Sequence, residues 1–389
     1  MAITIHQSPQ SFTPSDNDVL WVFSSNQTGE PNFSFKVELF VNDVKQTEEK
    51  IFPISGNRAY YNSSNIIRHF FLTPIINNDI SVNDDLLTQI SRLIEVKIKI
   101  TEVYGDPVSD EATLESSVAN CFKASLSDFD FIDFNHEDYE IGSSSKLFMS
   151  YLPRNINTGI DVNQNGYAVF YNAESRNLKA RFISLEKNGT AIDEQVIDFG
   201  TKDKGVYVLN FSPKHNAVDL TDAFTYEYQI RSGESLISET ITKEIKPQCT
   251  VSERTVYFIN SLGGVDQFLF DKRRETNNSI ERKFQKKKFG RLEGNDYNYD
   301  GFDGVERNYF NKVNKSISLL SDWMLPDVKS WLLDELLKSP IVWVEDENDV
   351  KQRIIITNTS ERVGDELYEE WVQLQIDFRY SLTDKSANY

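Results

Sequence analysis

The chain has 389 residues, with 60 acidic side chains against 41 basic ones and a formal charge of −19. At 39% hydrophobic and 12% aromatic it is too apolar for a disordered acidic chain, and 17 Gly with 11 Pro exclude a collagen-like or low-complexity fold. The longest apolar runs fall far short of a membrane span, and the opening MAITIHQSPQSF has neither a basic nor an apolar segment, so neither a secretory signal nor membrane insertion is expected.

Period-two alternation dominates the first part of the chain. Phe33, Phe35, Val37, Leu39 and Val41 alternate with polar neighbours and Phe40, then meet Asn42-Asp43, a hairpin turn signal. Ser63 or Asn62 is placed to cap a short helical turn over Asn62–Phe71. Ile94, Val96, Ile98 and Ile100 form a second one-sided strand, closed by Tyr104-Gly105-Asp106-Pro107. A first β-sandwich-like module is predicted over residues 1–127.

The same plan returns over residues 128–250. Leu178, Ala180 and Phe182 alternate before Asn188-Gly189, and Val206, Val208 and Phe211 mark the next strand. Phe224, Tyr226, Tyr228 and Ile230 follow, ending at Arg231-Ser232-Gly233-Glu234. The order of strands and turns suggests two tandem β-sandwiches, although no sequence block is shared. Between them, Asp128–Glu140 has six acids and no Lys or Arg. It reads as an inter-domain strand anchored by Phe129, Phe131 and Phe134, or as an arm that docks on a neighbouring subunit.

Residues 251–389 predict a mixed α+β domain. Val256–Asn260 reads as a buried strand, Gly263-Gly264 as a turn, and Pro326 as the first turn of a helix with Val328, Trp331, Leu332, Leu336 and Leu337 on one side. Ser339-Pro340 stops it. Strands follow at Ile341–Val344 and Arg353–Thr357, and Val372, Leu374, Ile376, Phe378 and Tyr380 alternate to the end. Residues 271–316 show no clear period and are expected to form a long contact loop. The fold class is therefore mainly β, with two tandem sandwiches and an α+β carboxy-terminal domain.

Chemistry is sparse. Cys121 and Cys249 form no CxxC, so zinc ribbons and a disulfide framework are not expected, which fits a reducing cytoplasm. The four histidines are scattered, and no phosphate loop, GxGxxG or GxSxG occurs. No cofactor, metal or enzyme activity is expected. Asp296-Tyr297-Asn298-Tyr299-Asp300-Gly301 matches half of a calcium loop, but its twelfth position is Arg307 instead of Glu. Trp323, Trp331, Trp343 and Trp371 fit core packing better than sugar platforms.

The sharpest charge feature is basic. Lys272, Arg273, Arg274, Arg282, Lys283, Lys286, Lys287, Lys288 and Arg291 put nine cations in twenty residues, against Glu275 and Glu281 alone. Such a run suits DNA phosphates, the acidic surface of an adjacent copy, or water. The acidic chain favours the adjacent copy, which makes these nine the predicted subunit-interface residues.

Arg254–Phe270 pairs an aromatic strand ending in Asn260 with the Gly263-Gly264 turn and a second aromatic strand, followed by Lys272–Arg274 and Ser279-Ile280-Glu281-Arg282. It resembles a recurring segment of virion proteins from phages and prophages of Bacteroidetes. The carboxy-terminal order is also similar: helix, Ser339-Pro340-Ile341-Val342-Trp343, strand, long amphipathic strand. Together these cover about a third of the chain, and Trp21–Asn26 before a β-rich module adds to them. The family most similar is the tail hub or connector ring proteins of crAss-like phages. That resemblance implies a structural virion protein of a phage tail or neck, assembled in the host cytoplasm. It implies a homo-oligomeric ring, with twelvefold symmetry as one expectation. The ring would contact neighbouring neck and tail proteins and let phage DNA pass non-specifically. A distal tail protein, a glycan-binding adhesin or receptor-binding tail protein, and a tail-associated polysaccharide or wall hydrolase remain the alternatives.

Overall fold

A computed structural model describes residues 3–54, 56–71, 86–90, 93–154, 158–160, 162–246, 254–286, 288–299, 305–345, 350–358 and 371–382. The protein is mainly β, as its alternation predicts. By its contacts the chain divides into two units, Met1–Lys246 with Ile259–Gln267, and Pro247–Phe258 with Phe268–Tyr389.

The first unit holds two sandwiches. In the first, the strands Ile3–Gln7, Leu20–Ser25 and Arg58–Asn62 make a three-stranded sheet. The facing sheet runs Phe12–Pro14, Ala119–Phe122, Leu93–Gly105, Ser34–Val41, Val44–Ile51, with Val108–Glu115 also on Leu93–Gly105. Alternation explains the packing: Trp21 and Phe23 from one sheet meet Phe35, Val37, Leu39, Val96, Ile98 and Ile100 from the other in one core. Asn42 and Asp43 both take positive φ, 48° and 62°, and close the hairpin between Val41 and Val44. The predicted helical turn is Ser64–Ile67, where Asn62 Oδ1, and not Ser63, accepts the Ser64 N–H.

The second sandwich repeats, strand for strand, the larger sheet of the first. Its larger sheet runs Thr158–Ile160, Ile241–Ile245, Thr225–Ser232, Arg176–Leu185, Ala191–Lys202, and the first pair is parallel in both sandwiches. Leu178, Ala180, Phe182, Tyr226, Tyr228 and Ile230 pack there against Phe170, Tyr207 and Leu209 of the smaller sheet. That smaller sheet contains Tyr167–Asn172 and Gly205–Asn210, and its third strand, Leu87–Ile90, comes from the first half of the chain. Asn188-Gly189 does not form a two-residue turn. Gly189, at φ 85°, ends a longer loop in which its N–H donates to the Glu186 carbonyl, and the register slips by one between Ser184 and Leu185.

Asp128–Glu140 is not the expected strand. Ser127 caps a helix over Asp128–Asp133 by accepting the Asp130 N–H, with two acids in the first turn. A 3₁₀ turn over His136–Tyr139 follows. Of the three expected anchors only Phe134 is buried, stacked on Tyr139 with ring centroids 5.7 Å apart. Phe129 is 84% exposed.

A seven-stranded sheet runs in the order Val265–Phe270, Arg254–Ile259, Val342–Glu345, Lys351–Ile356, Gln375–Tyr380, Glu306–Leu320, Arg273–Lys286, and all of it but Ile259 and Val265–Gln267 belongs to the second unit. The helix Pro326–Trp331 covers it and continues as a wider π turn over Leu332–Leu336. Trp331 packs on Phe258 at 5.6 Å, and Tyr257 stacks on Trp343 at 5.5 Å. The residues read as a loop over 271–316 are largely a hairpin of two long strands, Arg273–Lys286 and Glu306–Leu320. A strand wet on both faces has no apolar period to betray it.

Candidate interaction surface

The hairpin is a sheet at its root and a free-standing ribbon beyond it. Ser316–Leu320 pair with Gln375–Arg379, and Ile317 and Leu319 are buried beside Phe378 and Ile376. Past Ser316, among the described residues, the two strands pair only with each other. The ten residues from Asn277 to Lys286 give the ribbon a length of about 33 Å at 3.3 Å per residue. An isolated two-stranded hairpin is at best marginally stable in water.

Cross-strand partners share a face, so the register sorts the side chains. The face that buries Ile317 and Leu319 at the root continues outward as Ile280 opposite Val313, Arg282 opposite Asn311, Phe284 opposite Asn308 and Lys286 opposite Glu306. Ile280 is 50% and Phe284 56% exposed. The other face is mostly polar, with Asn277 opposite Ser316, Glu281 opposite Lys312, and Lys283 opposite Phe310. There the Lys283 ammonium lies 5.1 Å from the Phe310 ring centroid.

The nine predicted interface cations do not form one patch. Lys272, Arg273 and Arg274 sit at the root, where Lys272 pairs with Asp322 at 3.1 Å and Arg273 with Glu275. Arg282, Lys283 and Lys286 lie about 26 Å or more further along the strand, with Lys286 3.8 Å from Glu306. Lys288 is exposed past the strand end, and Arg291 pairs with Glu293 at 2.7 Å in a small terminal hairpin, Arg291–Glu293 with Asp296–Asn298. Lys287 lies outside the described residues. The sequence reading missed the apolar row on the ribbon, although Ile280, Arg282, Phe284 and Lys286 alternate once the segment is known to be a strand. It also missed the tip, where Phe289, Tyr297 and Tyr299 cluster with ring centroids 5.3–5.4 Å apart.

The other candidates fare differently. Asp296 and Asn298 lie in the tip hairpin, where the Asn298 amide donates to Glu293; Asp300 and Gly301 fall outside the described residues. Among those described, no three His, Cys, Asp or Glu side chains stand close enough to hold a metal, and no helix is long and apolar enough to cross a membrane. Cys121 is a buried free thiol that burial pushes up to about 12; Cys249 is not among the described residues. The tryptophan expectation is half corrected. Trp331 and Trp343 are core, but Trp323 is 58% and Trp371 56% exposed. Met324 bridges Val372 and both are buried, so alternation turns Trp323, Leu325 and Trp371 outward together.

Charged groups also meet inside the first unit. Arg154 Nε lies 2.9 Å from Glu239 Oε2, Lys243 Nζ donates to Thr158 Oγ1 at 2.5 Å, and Asn260 Nδ2 donates to Asp266 Oδ2 at 3.0 Å. Burial pushes the Lys243 ammonium down to about 8 and raises the carboxyls of Asp266 and Glu239, opposed by Asn260 and Arg154 respectively. Lys243, Asp266 and Glu239 are all buried, with Arg154 exposed at the edge of the group. The group also explains the Asn–Gly–Gly segment. The Asn260 amide donates to the Met149 carbonyl and accepts the Gly264 N–H. A Cβ at Gly263 would lie 1.8 Å from the Lys123 carbonyl oxygen, and one at Gly264 2.1 Å from that of Met149.

No family model matches the sequence, and no curated protein does. Among solved structures, a glycosyl hydrolase family 2 member from Bacteroides cellulosilyticus aligns at 9% identity and a TM-score of 0.11, over 64% of this chain and 30% of that one. A putative beta-galactosidase from Bacteroides fragilis aligns at 8% and 0.11, over 66% and 36%. The chain thus spans about a third of the length of either, and likeness at that level carries no argument.

Proposed function

We propose that the chain is a structural virion protein, a tail hub or connector that forms a homo-oligomeric ring in a phage tail or neck through which DNA passes, and that it is not an enzyme. One observation carries this reading: a long ribbon extends beyond its sheet with apolar and cationic side chains on one face and no cover from the described residues of its own chain. A protein working as a monomer gains nothing from such an arm, whereas a neighbouring copy would bury it. The net charge of −19 supports the same division of labour, since an acidic wall repels passing DNA while a basic arm seeks acidic protein. Its neighbours would be further copies and adjoining neck or tail proteins.

The test is a triple reversal, Lys286→Glu, Lys287→Glu and Lys288→Glu, followed by native mass spectrometry and negative-stain imaging. Loss of rings with an unchanged circular dichroism spectrum is expected; rings of wild-type size would overturn the arm. The outward set Trp323, Leu325 and Trp371 favours a second reading, a glycan-binding adhesin or receptor-binding tail protein, because exposed aromatic rings with a polar edge suit sugar faces. Sugar binding by the monomer on a glycan array, lost on Trp371→Ala, would favour it.

A further inference from the structure

Resting on the ring reading above, we infer that the core-side face of the ribbon docks on the acidic helix Asp128–Asp133 of a second copy. The ribbon face is a row of Ile280, Val313 and Phe284 bordered by Arg282, Lys286 and Lys315. A strand face turned permanently to water would carry polar residues there, as the opposite face does. The helix shows the complementary pattern. Phe129 and Ile132 stand three residues apart on one side, 84% and 78% exposed. Asp128, Asp130 and Asp133 share the helix with them and Glu137 follows in the next turn, with no Lys or Arg in the segment.

The helix is held in place for this role. Gln10 donates to the Phe134 carbonyl at 2.9 Å and accepts the His136 N–H at 3.0 Å, and Phe134 stacks on Tyr139 behind it. The outward apolar pair is thus presented on a fixed base. An apolar row rimmed by cations and an apolar pair rimmed by acids are each unsuited to solvent and suited to one another. The two surfaces differ, so the contact is heterologous. Repeated from copy to copy, a heterologous contact whose rotation closes makes a ring, where a self-complementary patch would stop at a dimer.

The test uses two full-length variants. One carries Arg282→Glu and Lys286→Glu, the other Asp128→Lys, Asp133→Lys and Glu137→Lys, all at exposed positions, which takes the four named acids from −4 to +2. Each alone should self-associate at least about tenfold more weakly than wild type by sedimentation velocity at low salt. Mixed in equal amounts they should recover, because each ribbon then meets a helix of opposite charge, and native mass spectrometry should show assemblies alternating between the two. Recovery also excludes misfolding as the cause of the loss. If the helix variant assembles like wild type while the ribbon variant does not, or if mixing restores nothing, the helix is not the partner and the ring reading stands. A wild-type chain that stays monomeric at every concentration would sink the ring reading itself.

Discussion

Replacing Asn260 by Ala tests whether the Asn–Gly–Gly segment is a structural clasp. The side chain is 4% exposed and makes three hydrogen bonds: to the Met149 carbonyl at 2.8 Å, to Asp266 at 3.0 Å and from the Gly264 N–H at 2.7 Å. Alanine leaves those three buried groups short of a partner. Each such loss costs about 1–3 kcal/mol, and part is recovered where the site relaxes, so a net loss of about 3–5 kcal/mol is expected. Asn260→Asp should be worse. It keeps the acceptor for Gly264 but sets a second carboxyl against Asp266, which burial already disfavours as an anion. Urea unfolding followed by circular dichroism gives the free energy. Hydrogen exchange on Gly205–Asn210 and Arg176–Leu185 places the loss in the first unit. A cost below about 1 kcal/mol for Ala, or an Asp variant as stable as Ala, would refute the clasp.

Two further outcomes follow from buried charge. Lys243 titrates at about 8 in the folded chain and near 10.5 when unfolded, so between those values the unfolded state binds more protons and stability should rise with pH. Urea unfolding at pH 7.5 and about pH 9.5, before most tyrosines ionise, should show wild type gaining stability relative to Lys243→Met, a comparison that cancels the opposite trend of the buried Cys121 thiol, whose raised pKa makes stability fall over the same window; a wild-type minus variant difference that stays flat or falls would contradict it. Glu102 is fully buried, and among the described residues neither carboxylate oxygen has a hydrogen-bond partner. Glu102→Leu should therefore stabilise the first sandwich, by about 1–3 kcal/mol in thermal or urea unfolding, and a loss of stability would show that the carboxylate is satisfied in solution.

What could be read from sequence follows from where water lies. Phe35 to Val41 and Ile94 to Ile100 declared themselves because one face of each strand is buried and the other wet. The ribbon was invisible for the opposite reason: Arg273–Lys286 is exposed along nearly its whole length, and the two apolar residues on its outer half sit singly among charges. Its cations were legible as a charge run, but their separation into root and outer groups needed the strand spacing. Asp128–Glu140 reads as a strand by its Phe residues set among acids, yet the Ser127 cap and the acids of the first turn settle a helix over Asp128–Asp133. Trp323 and Trp371 looked like core by their neighbours, but alternation puts the neighbours inside and the indoles out.

Leu87–Ile90 has a consequence for how the chain can be divided. It completes the smaller sheet of the second sandwich from within the first half of the sequence, hydrogen-bonded to Val206–Leu209. A fragment starting at residue 128 would therefore bare the side of Gly205–Asn210 along an already narrow sheet, an open edge of the kind that recruits strands from other molecules. This borrowed strand makes the halves inseparable: the second sandwich is sealed only when the first is present to lend it.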